Sequence, residues 1–122
     1  MDVKTLNRDQ ILEADDTTRE RVEVPEWDGI AYVKTMTGEA RDAFEESLVE
    51  RKGDDVTRNL RNFRAKLAAR VICDENGNLL FDEKDVLALG RKSARALDRI
   101  VVAAQRLNAI EQKDVEALTK NS

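Results

Sequence analysis

Hydrophobic side chains recur at helical spacing through the middle of the chain. They lie three or four residues apart, at Val56, Leu60, Phe63, Leu67 and Val71. This spacing places them along one face of a helix. Either Asp54 or Asp55 can cap that helix, so the pattern predicts helical structure over residues 56–71.

Four further helices are predicted from capping residues and stop signals. The first runs from Gly38 to about Lys52, between the cap Thr37 and the stop Gly53. The others lie between the cap Asp82 and the stop Gly90, between the cap Ser93 and Asn108, and over residues 110–120. Asp85 stands three residues after Asp82, as in a capping box. The helix after Ser93 has the clearest apolar face, which consists of Ala94, Leu97, Ile100, Val101, Ala104 and Leu107.

Residues 21–35 have the pattern of a β-hairpin. Asp28-Gly29 lies between residues that favour strands. Asp-Gly is a strong signal for a two-residue hairpin loop, in which both residues take positive φ. Pro25 has no backbone N–H to donate, so we expect its strand at the edge of the sheet.

Residues 1–20 are polar and form the N-terminal arm. Leu6, Ile11 and Leu12 are too sparse to predict a firm helix. We therefore expect a flexible arm that becomes ordered on a partner, followed by one domain over residues 21–122. The predicted fold class is mainly α: a small domain of about five helices with an N-terminal β-hairpin as its minor β component.

Charge is distributed unevenly along the 122 residues. The net charge is −4, which opposes nonspecific binding to nucleic acid. The first 55 residues carry sixteen acidic and eight basic side chains, whereas residues 56–73 carry five basic and no acidic ones. Opposite charges in neighbouring segments indicate internal pairing, or weak self-association through complementary patches.

The basic segment is the main candidate for binding. Its arginines are Arg58, Arg61, Arg64 and Arg70, and we expect them to contact another protein. Trp27 is a further candidate, because tryptophan often anchors protein interfaces, although it equally suits a place over the helical core. The alternative is a small nucleic-acid-binding or transcriptional regulator that uses the helix 56–71. The shortage of aromatic side chains for stacking on bases argues against it.

Catalytic and metal-binding signatures are missing from the sequence. Histidine, the commonest general base and metal ligand, does not occur, and Cys73 is the one cysteine. Asp74, Asn76 and Asn78 alternate like the ligands of a calcium loop, but Gly77 stands at loop position four instead of six. A plain turn is therefore expected, and we predict no enzyme activity, no metal and no cofactor.

The absence of a long apolar run argues against membrane binding. A single cysteine is typical of a protein that works in a reducing compartment, so a cytoplasmic location is expected.

Several short pieces in a fixed order carry a family resemblance. They are Val24-Pro25-Glu26-Trp27; residues 33–45, which include Met36-Thr37-Gly38-Glu39; the turn Asp74 to Phe81; residues 85–93; Leu97-Asp98-Arg99-Ile100; residues 103–108; and the closing Lys120-Asn121-Ser122. In this order the chain resembles the tail assembly chaperones of siphophages, the phages with long non-contractile tails. The resemblance covers roughly residue 22 to residue 122.

The resemblance implies a role in assembly and not in the finished virion. Members of this family are thought to coat the tape measure protein, keep it soluble and recruit tail tube subunits. The expected location is then the cytoplasm of the bacterial host, with the protein absent from the mature virion. The family has no catalytic residues to carry over to this chain.

Overall fold

Helices and strands alternate along the computed structural model, which describes residues 3–110. The α-helices are α1 (Arg8–Glu13), α2 (Gly38–Glu46), α3 (Phe63–Val71), α4 (Val86–Leu89) and α5 (Ala94–Asn108). The strands are β1 (Arg19–Val24), β2 (Gly29–Lys34), β3 (Val49–Lys52), β4 (Asp55–Arg58) and β5 (Ile72–Cys73). Short 3₁₀ turns occur at Pro25–Trp27 and Glu83–Asp85. The predicted last helix, over residues 110–120, lies almost entirely outside the described residues.

The β-hairpin predicted near the N-terminus is present, with a longer loop than expected. β1 pairs antiparallel with β2, from Arg19 opposite Lys34 to Val24 opposite Gly29. The loop is the 3₁₀ turn that begins at Pro25, whose fixed φ and missing N–H suit the first position of a helical turn. Of the Asp28-Gly29 pair only Asp28 takes positive φ, at 56°.

A three-stranded sheet forms when β5 adds to the other side of β2. Val33 lies opposite Ile72, and the strand order is β1-β2-β5. β1 is therefore an edge strand, as the position of Pro25 predicted. β2 is the central strand and buries Val33 completely.

The prediction of a mainly α domain is wrong. About 45% of the described residues are helical and 21% lie in strands, and the strands form two sheets, so the fold is α+β. Some of the strands that were not predicted lie where the sequence predicted the end of a helix, before Gly53. α2 ends at Glu46 instead, and β3 and β4 form a second hairpin.

The second hairpin turns at Gly53-Asp54. Lys52 pairs with Asp55, and Gly53 has a φ of 61°. Glycine with positive φ at the first loop position is typical of a type II′ hairpin turn. Glu50, Arg51 and Lys52 are good helix formers, and for this reason local preference favoured the wrong element.

The predicted basic helix 56–71 is also wrong in its first half, because α3 begins only at Phe63. Val56 lies in β4, and Leu60 lies in the turn that follows. In that turn the side chain of Asn59 accepts the N–H of Arg61 at 3.0 Å, and Asn62 takes a left-handed conformation with φ of 59°. These two local features separate β4 from α3.

The capping predictions in the second half are confirmed. Asp82 and Asp85 form a reciprocal capping box at the 3₁₀ turn before α4, and the hydroxyl of Ser93 accepts the N–H of Ala96 at 3.1 Å. Gly90 ends α4 with an ordinary negative φ. Its lack of a side chain matters because a Cβ there would lie 3.1 Å from Oδ1 of Asn62.

The core is formed by α3 and α5, which pack against each other and against the three-stranded sheet. Leu67 and Ile100 are completely buried, and the rings of Phe44 and Phe63 meet edge to face at 5.8 Å. Six alanines of α3 and α5 are buried: Ala65, Ala68, Ala69, Ala96, Ala103 and Ala104. Small side chains let two helices approach closely. Ala94, expected on the inner face of α5, is exposed.

The N-terminal arm contains a helix that the sequence analysis did not predict. Asn7 caps α1, and the side-chain oxygen of Gln10 accepts the backbone N–H of Asn7 at 3.0 Å, which completes a capping box. Within residues 3–17 every described hydrogen bond stays inside the segment. The first residue that hydrogen-bonds to the domain is Thr18, whose backbone N–H donates to the hydroxyl of Thr35. The flexibility expected of the arm stays a prediction.

Candidate protein-binding surfaces

The four candidate arginines do not share one helix. Arg58 ends β4 and Arg61 lies in the turn before α3, and both are exposed. Arg64 and Arg70 lie on α3, where they pair with Asp98 at 2.6 Å and with Glu83 at 2.8 Å. Two of the four positive charges therefore form ion pairs within the molecule.

Trp27 lies at the end of the 3₁₀ turn that joins β1 to β2. It is half-buried and packs against the core. Its remaining surface borders a shallow groove of about 450 Å³ on the outer face of the sheet, together with Ile30, Tyr32 and Leu80. Trp27 therefore supports the fold and also presents an edge to this face.

A second groove lies between α3, α4 and the extended segment before α4, and we call it the α3–α4 groove. It has a volume of about 450 Å³ and an apolar floor made by Ala69, Leu79, Phe81 and Val86. Two cations, Lys66 and Arg70, and two anions, Asp82 and Glu83, also line it, so its charges balance. The ammonium of Lys66 donates to the carbonyl oxygen of Ser47 at 2.8 Å. An ammonium has three N–H donors, so this group retains the capacity to bind an anionic side chain.

The third surface is a wide groove of about 770 Å³ between β1 and α5. Its walls carry many charges, which include Arg99 and Arg106 of α5 and Glu20 of β1. Arg106 pairs with Glu20, and Arg99 binds both carboxylate oxygens of Glu26 at 2.8 and 3.0 Å. These ion pairs hold the edge of the hairpin to α5.

The shifted carboxylate pKa values come from these fixed contacts. The hydrogen bonds from Arg99 hold the pKa of Glu26 below its usual value, and Arg51 does the same for Glu46. Backbone N–H groups, first that of Asn78, lower the pKa of Asp74. Such shifts favour the charged form and suit structural ion pairs, whereas a general acid needs a raised pKa.

Burial raises the pKa of the Cys73 thiol, which keeps it protonated at neutral pH.

Within residues 3–110, acidic and cysteine side chains do not cluster in a way that could hold a metal ion. Asp74 instead accepts the backbone N–H groups of Asn76 and Asn78 at 2.8 and 3.0 Å, which makes the predicted turn. In the same part of the chain, no helix is long and apolar enough to cross a bilayer.

Exposed apolar side chains are the feature that sequence reasoning missed. Leu79 in the α3–α4 groove, Leu80 in the groove beside Trp27 and Leu87 on α4 are 46%, 56% and 69% exposed. On the N-terminal arm, Leu6, Ile11 and Leu12 are 54%, 57% and 65% exposed. The signal for α1 was present in the sequence, because Asn7 and Gln10 have capping-box spacing and Leu6 and Ile11 occupy the flanking staple positions.

Comparison with known proteins identifies a matching family and a solved structure with a similar fold. The family model for phage tail assembly chaperones matches residues 7–120. The structure of the bacteriophage HK97 tail assembly chaperone superposes with a TM-score of 0.59 at 20% sequence identity, over 85% of this chain and 95% of that one. At that identity the structural likeness shows the fold alone. No curated protein matches the chain.

The family model reaches beyond the sequence pieces that carried the resemblance, since it begins within the N-terminal arm. It spans nearly the whole chain and confirms the resemblance to tail assembly chaperones. The chain belongs to the phage tail assembly chaperone family.

Proposed function

We propose that this chaperone binds the tape measure protein of its phage, keeps it soluble, and recruits tail tube subunits that polymerise around it. The observation that carries the proposal is the family match over residues 7–120. The work takes place in the cytoplasm of the bacterial host, and the chaperone is absent from the mature virion.

The surface of the domain suits such a role. A coat along an elongated protein needs many repeated contacts, each weak enough to be displaced when the tube forms. Exposed apolar side chains beside charged ones supply contacts of this kind, because rim charges guide and align partners while adding little affinity. Weak self-association of the chaperone would let neighbouring copies bind the same tape measure protein.

We infer that the candidate residues contact the partner in three groups. Arg58 and Arg61 are exposed near each other in sequence and offer positive charge. Arg64 and Arg70 contribute through their ion pairs with Asp98 and Glu83, and those pairs would have to rearrange if the arginines bound a partner directly. Trp27 offers its exposed edge on the outer face of the sheet.

The test is co-expression with the tape measure protein encoded in the same phage genome. We expect a larger soluble fraction of the tape measure protein and its co-purification with the chaperone. Purified tail tube protein added to this complex should then bind, whereas it should not bind the chaperone of an unrelated phage. A tape measure protein that stays insoluble, with no complex recovered, would reject the proposal.

The arginines can be tested in the same assay. Arg58→Glu together with Arg61→Glu should reduce the amount of tape measure protein recovered. Arg19→Glu together with Arg21→Glu is the matched control, since it reverses two exposed charges on β1, the edge strand of the other sheet. Equal loss from both pairs would mean that net charge, and not the position of these arginines, governs binding.

The alternative function, a nucleic-acid-binding or transcriptional regulator, has lost its structural basis. It required a continuous basic helix over residues 56–71, and the structure places Arg58 and Arg61 outside α3. A gel-shift assay with duplex DNA at low salt is expected to show no complex.

A further inference from the structure

We propose that the groove on the outer face of the three-stranded sheet binds an amphipathic helix of the tape measure protein, in which lysine or arginine flanks the apolar side chains. We call this surface the Trp27 groove. The inference rests on the proposed function and deepens it. It names the surface that binds and the chemical character of the segment that this surface accepts.

The first observation is that the outer face of the sheet is apolar and exposed. Ile30 is 43% exposed and Leu80 is 56% exposed, and both line the Trp27 groove. On the opposite face, where α3 and α5 pack, Val33 of β2 is completely buried. A sheet buries an apolar face by packing another element against it, so the outer face has the character of a surface for a further helix.

The second observation is the pair of aromatic side chains in the groove. Trp27 and Tyr32 are both half-buried. The indole N–H and the phenol hydroxyl make none of the described hydrogen bonds, and neither is a buried group without a partner. Aromatic side chains with an apolar body and a polar tip are enriched at protein interfaces, and their ring faces attract cations.

The lining of the Trp27 groove carries negative charge alone. Asp74 and Glu75 line it, and no lysine or arginine does. Two cations stand at Gly77 of the same turn. Lys34 donates to the Gly77 carbonyl oxygen at 2.8 Å, and the guanidinium of Arg19 lies 3.7 Å from the place where a Cβ of Gly77 would stand. Both cations serve the turn and not the groove.

Glu75 is the carboxylate with capacity for a partner. Asp74 accepts N–H groups of its own turn, whereas Glu75 is exposed and makes none of the described hydrogen bonds or ion pairs. An available carboxylate beside an apolar floor favours a segment with an ammonium or guanidinium next to its apolar side chains. The α3–α4 groove gives no such selection, because its charges balance.

The N-terminal arm of a second copy is a poor occupant of this groove. Its exposed Ile11 and Leu12 are followed by four residues of which three are acidic, and Arg8 is already paired with Asp9. Carboxylates of the arm would face carboxylates of the groove, and like charges across an interface oppose binding.

Fluorescence of Trp27 reports directly on the groove, because it is the one tryptophan of the chain. The probes are overlapping synthetic peptides of the tape measure protein, each of about 25 residues and so long enough to form a helix. Any tryptophan in a peptide is replaced by phenylalanine. Peptides with lysine or arginine beside aliphatic side chains at helical spacing should bind and shift the emission to shorter wavelength, because the exposed indole edge leaves water. Replacing the basic residues of such a peptide with glutamate should abolish the shift.

Two neighbouring leucines test which groove is used. Leu80→Ser should weaken binding of the best peptide by about tenfold or more, since burial of one such side chain is worth at least that factor. Leu79→Ser is the matched control, because Leu79 is similarly exposed but lines the α3–α4 groove. It should change binding by less than about twofold. Circular dichroism verifies the fold, and Ile30→Ser is a second variant within the Trp27 groove.

Two exposed carboxylates test the charge preference. Glu75→Lys should weaken binding by about fivefold, and the loss should shrink as salt rises. Asp42→Lys changes the net charge equally, but Asp42 lies on α2 and outside the groove, so its effect should stay within about twofold. Equal losses from both variants would mean that net charge governs binding, and the inference would be wrong.

The outcomes separate this inference from the proposed function. If the tape measure protein is captured on co-expression but no peptide shifts Trp27 emission and Leu80→Ser binds normally, the inference is wrong and the proposed function stands. If the tape measure protein is not captured and no peptide binds, both are rejected. A greater loss from Leu79→Ser than from Leu80→Ser overturns the inference. Emission that shifts with the concentration of the chaperone alone also overturns it, because a second copy would then cover the groove.

Discussion

At the scale of single residues, Asn108 joins three parts of the molecule. Its Oδ1 accepts the N–H of Met36 at 2.6 Å, and its Nδ2 donates to Ala104 at 2.9 Å and to Lys34 at 3.5 Å. Its backbone carbonyl accepts a hydrogen bond from Arg41 at 2.9 Å. The end of α5 is thereby fixed to the connection between β2 and α2.

Replacing Asn108 with alanine should lower the free energy of unfolding by about 1–3 kcal/mol, because the half-buried N–H of Met36 loses its acceptor. Urea denaturation measures the loss. Asn76→Ala is the control, since its exposed side chain makes none of the described hydrogen bonds, and it should change stability by less than about 0.5 kcal/mol. Similar losses from both variants would show that the Asn108 contacts are not important.

Asp74 provides a pH-dependent prediction at the same scale. Hydrogen bonds from the turn, first that of Asn78, lower its pKa below the ordinary value of 3.8. The ionised carboxylate thus stabilises the folded state above about pH 4, and this contribution disappears as pH falls through the lowered pKa. Asp74→Asn should therefore be less stable than wild type at pH 7, and the difference should shrink towards pH 2.

Stability measured by denaturant titration at several pH values checks this prediction. Glu75→Gln is the neighbouring control, because the carboxylate of Glu75 makes none of the hydrogen bonds of the turn. A difference between wild type and Asp74→Asn that is constant from pH 7 to pH 2 would mean that the carboxylate charge is not involved.

At the scale of elements, the β3–β4 hairpin depends on one glycine. Gly53 has a φ of 61°, in the left-handed region, and nothing lies within 4 Å of the place where a Cβ would stand. The obstacle to a side chain is therefore conformational strain, and Gly53→Ala should destabilise the protein by about 1–2 kcal/mol.

Gly38→Ala is the matched control for that substitution. Gly38 also has open space around it, but it lies at the first position of α2 without positive φ. Alanine there should be neutral or stabilising by up to about 1 kcal/mol. Thermal or urea unfolding of both variants decides the matter, and an equal response would contradict the assignment of strain to Gly53.

Helices with strong caps and a clear apolar face could be predicted from the sequence, and those with a mixed pattern could not. Ser93 and Asp82 sit where local capping and tertiary packing agree, so α5 and the turn before α4 were located correctly. Residues 49–58 combine helix-forming side chains with a Gly-Asp turn, and pairing between strands overrode the local preference. The α3–α4 groove was unpredictable, because its wall and floor meet only when α3 packs against the segment from Leu79 to Val86.

At the scale of the whole molecule, salt distinguishes two kinds of self-association. Attraction between the acidic first half and exposed arginines is screened beyond a Debye length of about 10 Å at 0.1 M salt, so it should weaken as salt rises. Association through exposed apolar side chains, such as those of Leu79 and Leu87, should respond little to salt. We expect the self-association constant to vary by less than about threefold between 50 mM and 500 mM NaCl, the rim charges alone accounting for the change. Sedimentation at several salt concentrations measures this, and a loss of more than about tenfold would favour the electrostatic model.

The pairing of β1 with α5 has a consequence for synthesis on the ribosome. Arg99 and Arg106 bind Glu26 and Glu20, so β1 and the turn that follows it are held to α5. At about 5–20 residues per second, β1 is made roughly 4–17 seconds before the last turn of α5. During that interval the first hairpin cannot bury its inner face, which includes Val24 and Val33, against α5. The nascent chain therefore exposes these two valines to water and to other chains until α5 has been made.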